Sequence, residues 1–355
     1  MLTLEKLLRQ AVDKGASDLH IQENSRPALR IQGKIHFLEV DELDEETVAD
    51  MILPLMNEED YQTFLTMGDV DFAYNCPGVS RFRVNALNHY GGRGAVFRVI
   101  PNQIPTLSQL GVPKVLQDIA QSPKGLVLVT GPTGCGKSTT LAAMLNHINC
   151  NSTKHIITVE DPIEFIHPIA QSFLEQRELG RHAHSFADAL KASLRESPDV
   201  LMIGEMRDLD TISQALRAAE TGHLVLATLH TSSVAQTLAR IVDVFPPEEQ
   251  PQIRSLLSGS LRAIICQQLL PRCNGGGRVA AMEIMIMNSS MSGIIREGKT
   301  SQIRSFLMMG RSEGMQTLDL HLAHLLHTRQ ISLNVAEEYG TDMEFIKYHD
   351  QLFGE

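Results

Sequence analysis

The stretch GPTGCGKSTT, residues 131–140, constrains the fold of this chain more than any other sequence feature. It follows the apolar run GLVLVT and leads into the helical pattern LAAMLNHI, so a buried strand passes through a glycine-rich turn into a helix. The spacing matches G-x-x-x-x-G-K-[ST] in the strand–turn–helix setting that this motif requires. A glycine loop that merely turns the chain is the alternative, which the complete motif disfavours.

The motif predicts a cradle for the phosphates of a nucleoside triphosphate. Glycines let the backbone curl around an anion, and the start of the helix adds the positive end of its dipole. Lys137 is expected to reach the β- and γ-phosphates, and the Ser138 hydroxyl to bind Mg²⁺. The predicted ligands are therefore a nucleoside triphosphate and Mg²⁺. The predicted cradle consists of Gly131, Pro132, Thr133, Gly134, Cys135, Gly136, Lys137, Ser138 and Thr139.

Length, charge and cysteine usage limit the remaining possibilities. A chain of 355 residues with 43% apolar content can fill two cores, so we expect two domains. The net charge of −11 argues against binding nucleic acid through bulk electrostatics. No apolar run approaches the roughly 20 residues that span a bilayer, and five scattered cysteines without a C-x-x-C pair fit a reducing compartment. We expect a cytoplasmic protein that has no integral membrane segment and binds no nucleic acid.

The hydrophobic pattern changes near residue 101. Residues 1–101 combine amphipathic helices with short alternating strands, which indicates a small α+β domain with helices packed on an antiparallel sheet. The stretch PNQIPTLSQLG then breaks the periodicity, and we expect a linker at 102–111. Residues 112–355 form the second predicted domain, whose tail at about 288–349 has the pattern of amphipathic helices.

Four apolar runs of the second domain, GLVLVT, HIITVE, DVLMIG and HLVLATLH, alternate with helical patterns. This alternation predicts a parallel sheet with helices on both faces, which is an α/β fold. Ligands of such sheets bind outside the carboxyl ends of the strands, where each of these runs delivers polar residues. Those polar residues are the candidates for catalysis.

Two of the runs are followed by acidic residues. Glu160, Asp161 and Glu164 lie within five positions at the end of HIITVE. Glu205 follows DVLMIG in a string that has the form of a Walker B strand. A hydrolase of this class needs one carboxylate to orient or deprotonate water and another to hold Mg²⁺ through its water shell. A solvated turn with helix-capping acids is the alternative for the first cluster.

Two histidines bracket the run HLVLATLH. His223 and His230 stand seven residues apart, at opposite faces or ends of a strand, so they cannot form a simple zinc ligand pair. A histidine at a strand end beside the γ-phosphate could report whether the nucleotide is intact. An ordinary structural histidine is the alternative at each position.

The strings GPTGCGKSTT, TVEDPIE, IGEMRD and AAETGHLVLATLHT, in this order and spacing, resemble the secretion ATPases that power type IV pili and type II secretion. The match covers nearly the whole chain. GASDLHI, RFRVNALNHYGGRGAVFRVIP, IIREGK and GMQTLD look specifically like the pilus retraction, or twitching motility, ATPases. The resemblance therefore implies a motor ATPase that hydrolyses ATP to drive type IV pilus retraction.

The resemblance also implies an architecture and residue roles. It implies a PAS-like N-terminal domain, a RecA-like P-loop ATPase domain with a helical tail, and a homohexameric ring. Glu164 corresponds to the catalytic carboxylate and Glu205 to the Walker B acid that binds Mg²⁺, while His223 and His230 mark the histidine box; we expect His230 to take part in catalysis. The family further implies docking on an inner-membrane platform protein, which makes the protein peripheral to that membrane.

Arg83 and Arg98 are expected to sense nucleotide or to act in trans on a neighbouring subunit, together with His223. The two arginines lie on strands that can pair as a hairpin, and they resemble the family's nucleotide-sensing arginines in position. Salt bridges to acids such as Asp69 and Asp71 are the alternative.

Arg296 and Glu297 in the string IIREGK are expected to face a partner. They lie far in sequence from the nucleotide-binding strings and carry charge, which suits a contact surface. A solvated helix end is the alternative.

The expected branch of the family rests on a missing insertion. Assembly and type II secretion ATPases usually carry a four-cysteine zinc insertion before the strand RVAAMEI, where this chain has only LLPRCNGGG. This favours retraction over pilus assembly or type II secretion. The string SSMSGIIREGK departs from the family's usual AIRNLIREGK and leaves open an accessory retraction ATPase that works beside a paralogous main motor. A nucleotide-dependent switch and a nucleic-acid translocase are the remaining alternatives.

Overall fold

The structure, a computed structural model, describes residues 2–31, 33–100 and 103–352. The chain divides into two compact units, Met1–Gln103 and Ile104–Glu355, and each unit has a hydrophobic core of its own. The predicted boundary at 101–102 lies outside the described residues. Part of the stretch expected to be a linker is a helix of the second unit, because Thr106 caps Leu107–Leu110 and Leu107 is buried in that unit's core.

The described part of the first unit contains three α-helices and a six-stranded sheet. Its elements are α1 (Leu4–Asp13), β1 (Asp18–Gln22), β2 (Ala28–Ile31), β3 (Lys34–Phe37), α2 (Glu45–Ile52), α3 (Glu58–Met67), β4 (Asp69–Cys76), β5 (Ser80–His89) and β6 (Gly92–Ile100). The strands run in the order β3-β2-β1-β6-β5-β4, and each neighbouring pair is antiparallel. This is the α+β arrangement that the short alternating strands predict.

Strand β5 shows how this sheet separates core from surface. Phe82 and Val84 are buried on the face that α1 and its leucines cover, whereas Arg83 between them points to the other face. Arg83 lies directly opposite Arg98 of β6 in the antiparallel ladder. The two strands therefore pair as the hairpin that the sequence predicts.

The described part of the second unit is built on a seven-stranded sheet. Its elements up to the last strand are α4 (Leu107–Leu110), α5 (Val115–Ala120), β7 (Gly125–Thr130), α6 (Lys137–Asn151), β8 (His155–Glu160), β9 (Phe173–Glu178), α7 (Phe186–Ser193), β10 (Val200–Ile203), α8 (Leu209–Glu220), β11 (Leu224–Leu229), α9 (Val234–Asp243), α10 (Gln250–Ser260), β12 (Leu261–Pro271) and β13 (Arg278–Ile286). The strands run in the order β13-β12-β7-β11-β10-β8-β9. Neighbouring strands are parallel except β12 and β13, which form an antiparallel hairpin.

The central strands of this sheet are covered on both faces. All six residues of β7 and of β11 are buried, as are all four of β10. Continuous apolar runs of this kind are typical of parallel strands between two layers of helices, so the predicted parallel sheet is confirmed. The strand order places the carboxyl ends of β7, β11, β10 and β8 side by side, at the edge where the candidate catalytic residues were expected.

Within the described residues, five short α-helices follow the sheet. They are α11 (Ser289–Glu297), α12 (Ile303–Met309), α13 (Leu318–His327), α14 (Leu333–Tyr339) and α15 (Met343–Leu352). Helices α13 to α15 pack on the β12–β13 hairpin in a small cluster beside the main core. Across residues 2–31, 33–100 and 103–352, we find no helix with the length and apolar character needed to cross a membrane.

Candidate functional site

The loop between β7 and α6 has a backbone shape that favours glycine. Gly131, Gly134 and Gly136 have φ values of 147°, 77° and 87°. At Gly131 a Cβ atom would also lie 2.3 Å from the backbone carbonyl oxygen of Gln267, so no larger residue fits. Helix α6 begins directly after Gly136, which has no side chain to cap the N–H groups of the first turn. Those N–H groups and the positive end of the helix dipole are therefore available to an anion.

Lys137 is the first residue of α6, and its ammonium group lies against the loop. Nζ donates hydrogen bonds to the carbonyl oxygens of the two residues that open the loop, at 2.8 and 3.0 Å. Burial lowers the pKa of Lys137 from its ordinary value, whereas the nearby negative charges of Glu205 and Glu164 oppose that effect. The lysine therefore stands in the field of both predicted catalytic carboxylates.

Glu164 is brought to the cradle by the segment 161–172, which connects β8 to β9. Its Oε1 accepts a hydrogen bond from the Ser138 hydroxyl at 3.1 Å. Side chains of β9 hold the segment: Glu178 accepts from the backbone N–H of Ile163 at 3.1 Å, and Gln176 donates to a backbone carbonyl oxygen at 2.8 Å. The carboxylate with the predicted catalytic role thus contacts the predicted Mg²⁺ ligand.

Glu160 belongs to the same acidic cluster but has a different environment. It is buried at the end of β8, where it accepts hydrogen bonds from the Thr158 hydroxyl at 2.7 Å and from Gln176 at 3.1 Å. Burial raises the pKa of Glu160 from 4.5 to about 7. The acidic cluster therefore divides into an exposed carboxylate, Glu164, that faces the cradle and a buried one that supports the segment behind it.

Glu205 follows β10 and has two cationic or hydrogen-bonding partners. Its Oε2 pairs with Arg207 at 2.7 Å, and its Oε1 lies 3.2 Å from Nε2 of His230. Burial alone would raise the pKa of Glu205, but the hydrogen bonds and charges of Arg207 and His230 together lower it.

His230 connects this carboxylate to the cradle. Its second ring nitrogen, Nδ1, lies 3.5 Å from Nζ of Lys137. Because the lysine ammonium can only donate, Nδ1 is placed to accept a hydrogen bond from it, and Nε2 is placed to donate one to Glu205. A continuous set of contacts therefore runs from the cradle lysine through His230 to Glu205.

The structure places other predicted residues apart from this cluster. His223 stands at the amino end of β11, where its Nδ1 lies 2.9 Å from the carbonyl oxygen of Ala218, so the two histidines do not meet. Arg296 and Glu297 are exposed at the end of α11, and Glu297 pairs with Lys299.

Both predicted sensing arginines lie in the first unit, and each has an acidic partner. Arg83 pairs with Asp71 at 3.4 Å, which is one of the acids that the sequence offers as an alternative. Arg98 pairs at 3.0 Å with Asp18, a carboxylate that is buried at the start of β1. Asp18 and Arg98 are 80 residues apart in sequence. The pairing of β1 with β6 places them opposite each other and so allows this ion pair.

Gln267 of β12 is a cradle residue that the sequence motifs do not reveal. Its Nε2 donates to the carbonyl oxygen of Cys135 at 2.6 Å, and its Oε1 accepts from the Thr140 hydroxyl at 2.7 Å. Arg278 at the start of β13 also reaches the loop, 3.4 Å from the carbonyl oxygen of Gly134. The only trace in the sequence is a pair of glutamines inside the otherwise apolar run AIICQQLLP.

Known proteins share this architecture. The family model described as type II/IV secretion system protein matches residues 1–343. The chain belongs to this family. It is 47% identical over 337 residues to the type IV pilus retraction ATPase PilT of Pseudomonas aeruginosa, a match that covers 95% of this chain and 98% of that protein. The resemblance predicted from the sequence strings is therefore confirmed.

A second relative and a solved structure support the same assignment. The chain is 40% identical over 331 residues to the type IV pilus ATPase PilU of Pseudomonas aeruginosa, which covers 93% of this chain and 87% of that protein. A crystal structure of the pilus retraction motor PilT with bound ADP has a TM-score of 0.91 and 43% identity, covering 98% of this chain and 100% of that chain. The predicted fold class is confirmed, and the protein is a PilT-like, nucleotide-using ATPase.

Proposed function

We propose that this protein is a motor ATPase that hydrolyses ATP with Mg²⁺ to drive the retraction of type IV pilus fibres. The chain is 47% identical to PilT over most of its length. The observation that carries the proposal is a cluster of five side chains at one edge of the sheet, Lys137, Ser138, Glu164, Glu205 and His230. Together they fill each role that hydrolysis of a phosphoanhydride requires.

The residues at this site bind the phosphates of ATP and activate the attacking water. The first-turn N–H groups of α6 and the Lys137 ammonium bind the phosphates. Glu164 orients the attacking water and accepts its proton while the water oxygen bonds to the γ-phosphorus and the bond to the ADP oxygen breaks. Ser138 and Glu205 would hold Mg²⁺, because hydroxyl and carboxylate oxygens beside phosphates suit this ion, and the bound ion would neutralise phosphate charge. His230 links the lysine to Glu205 and so couples phosphate binding to the metal ligand.

We further propose that the protein works as a homohexamer in which Arg83 and Arg98, with His223, sense nucleotide at a neighbouring cradle. The arginine side chains are 43% and 65% exposed despite their ion pairs, so both keep surface for a second anion. Mixing Arg83→Ala with Glu164→Gln subunits tests this, because a boundary between the two pairs one intact arginine with one intact glutamate. Such mixtures should regain part of the ATPase rate, and co-assembled mixtures that stay as inactive as either parent contradict the proposal.

We propose that the motor docks on an inner-membrane platform protein, which makes it a peripheral protein of that membrane, and that Arg296 and Glu297 face this partner. Both side chains are exposed at the end of α11, and they leave the cradle untouched. A paralogous motor would be a further partner if the chain acts beside a main retraction ATPase.

Deleting the gene and counting surface pili tests the function. Abundant pili with lost twitching are expected; bald cells would indicate assembly, and an unchanged count would indicate an accessory role.

Complementation with Lys137→Ala should fail because ATP turnover is lost. Complementation with Arg296→Ala/Glu297→Ala should also fail although the purified double variant keeps its ATPase rate. Restored twitching with Lys137→Ala would refute an ATP-driven motor.

A further inference from the structure

We infer that Gln267 is a positioning residue of the ATP site, which holds the phosphate-binding loop in its working shape from the neighbouring strand. The inference rests on the proposed placement of the ATP phosphates in the cradle. Strand β12 runs parallel to β7, and Cys266 lies opposite Thr130, the last residue before the loop. The next residue, Gln267, therefore stands beside the loop itself.

The Gln267 amide spans the loop and the helix that follows it. Cys135, whose carbonyl oxygen accepts from Nε2 at 2.6 Å, belongs to the loop. Thr140, whose hydroxyl donates to Oε1 at 2.7 Å, belongs to the first turn of α6. One side chain thus fixes both ends of the segment that carries Lys137 and the first-turn N–H groups.

The loop is shaped to admit this side chain. Gln267 is only 2% exposed, so water cannot easily replace its hydrogen-bond partners. A Cβ atom at Gly136 would lie 3.0 Å from Nε2 of Gln267, and one at Gly131 would lie 2.3 Å from its backbone carbonyl oxygen. Two of the loop glycines therefore allow close contact with β12, in addition to allowing the backbone to turn.

The consequence concerns nucleotide binding more than the chemical step. The loop contacts the phosphates in the ground state and in the transition state alike. An interaction that acts equally on both states changes KM and leaves kcat nearly unchanged. Removing the Gln267 amide leaves the Cys135 carbonyl and the Thr140 hydroxyl without these buried partners, and the loop must shift to satisfy them.

Gln267→Met tests the inference, with Gln268→Met as its matched control. Both exchanges keep the side-chain length and remove an amide, but Gln268 is the next residue along β12 and points to the other face of the sheet. In Gln267→Met we expect the KM for ATP and the Kd for Mg-ADP to rise about tenfold, with kcat within about threefold. Gln268→Met should leave all three constants within about twofold of wild type. A lowered Tm with unchanged KM and Kd would overturn the positioning role.

Thr140→Val provides a second test that does not depend on the stability of Gln267→Met. It removes one of the two hydrogen bonds with a side chain of nearly the same shape. The loss of Mg-ADP affinity caused by Thr140→Val should disappear in the Gln267→Met background, because the shared bond is already gone. Equal losses in both backgrounds would contradict the inference.

A Lys137→Ala measurement separates this inference from the proposed function. If Lys137→Ala binds Mg-ADP as tightly as wild type, the placement of phosphates in the cradle is wrong. If Lys137→Ala loses binding but Gln267→Met matches Gln268→Met, the cradle stands and the positioning role alone is wrong.

Discussion

The carboxyl ends and the amino ends of β7, β8, β10 and β11 differ in what they hold. At the carboxyl ends, His230 contacts Lys137 through one ring nitrogen and Glu205 through the other. At the amino ends, His223 turns toward the carbonyl oxygen of Ala218 at the end of the preceding helix. Charged side chains there surround an open cavity of about 640 Å³, lined in part by Lys124, Arg217, Glu220 and Arg262.

Strand direction explains this difference, because the strands between the two edges are mostly apolar and buried. β11 is buried along all six residues, yet it carries one histidine at each end in unlike surroundings. In a parallel sheet, the carboxyl ends share one edge with the N-termini of the helices that follow, and these attract anions. The amino ends meet helix C-termini, where a cation such as Arg217 in the last turn of α8 is favoured. Position in the sheet, and not residue type, separates the two histidines.

The largest effect should come from Glu164→Gln at the carboxyl ends. The amide keeps the shape of the side chain but cannot accept a proton from water, so turnover should fall about a hundredfold or more while ATP still binds. Phosphate release and a nucleotide titration measure the two quantities. Glu220→Gln, the same exchange at the amino ends, is the control and should retain the wild-type rate. Poor ATP binding by Glu164→Gln would instead indicate a structural role.

Glu160→Gln should change the free energy of unfolding, and this change should depend on pH. The pKa of Glu160 is about 7 in the folded protein, against 4.5 as its ordinary value, so the folded state binds the extra proton between these two pH values. The stability that this proton provides is fully present below pH 4.5 and is lost as the pH rises through about 7. Glutamine stays neutral, so relative to wild type the variant should gain up to about 3 kcal/mol between pH 4.5 and pH 8.

Denaturant unfolding at both pH values measures this gain. A free energy difference between Glu160→Gln and wild type that does not change with pH would break the comparison.

The smallest expected effect is a difference in nucleotide affinity between variants of the two histidines that flank β11. His230→Ala removes the contact between the cradle lysine and Glu205, and should weaken Mg-ADP binding by about three- to tenfold. His223→Ala should leave the ADP affinity of a single chain unchanged, because this residue lies at the opposite edge of the sheet. Binding is measured at protein concentrations below assembly, and equal losses from both variants would remove the distinction between the edges.

The predictable strands are those with a strong apolar signal. The runs GLVLVT and HIITVE coincide with β7 and β8, because burial on both faces favours apolar residues at most positions. β9 carries the polar string FLEQRE at the edge of the sheet, with Phe173 exposed, so no apolar run marks it. β12 begins at Leu261, directly after Ser260 ends α10, and no turn residues mark the change from helix to strand.

The candidate site divides in the same way between local and distant contacts. The cradle could be predicted because its residues are adjacent in sequence and the motif fixes their spacing. Glu205 and the acidic cluster that contains Glu164 followed from their places after apolar runs, and the resemblance to the secretion ATPases selected Glu164 within that cluster. Gln267 could not be predicted, because 132 residues separate it from Cys135 and only the order of β12 beside β7 brings them together.

Single hydrogen bonds, and not a strand ladder, fix the segment 161–172 that carries Glu164. The N–H of Ile163 reaches Glu178, and the N–H of His167 reaches Gln176. Opening such a segment breaks few bonds, so its local free energy of opening lies below that of global unfolding. We therefore expect this segment, and not the strands beneath it, to set the rate at which Glu164 reaches and leaves the cradle. Amide hydrogen exchange would show faster exchange in the segment 161–172 than in the strands beneath it.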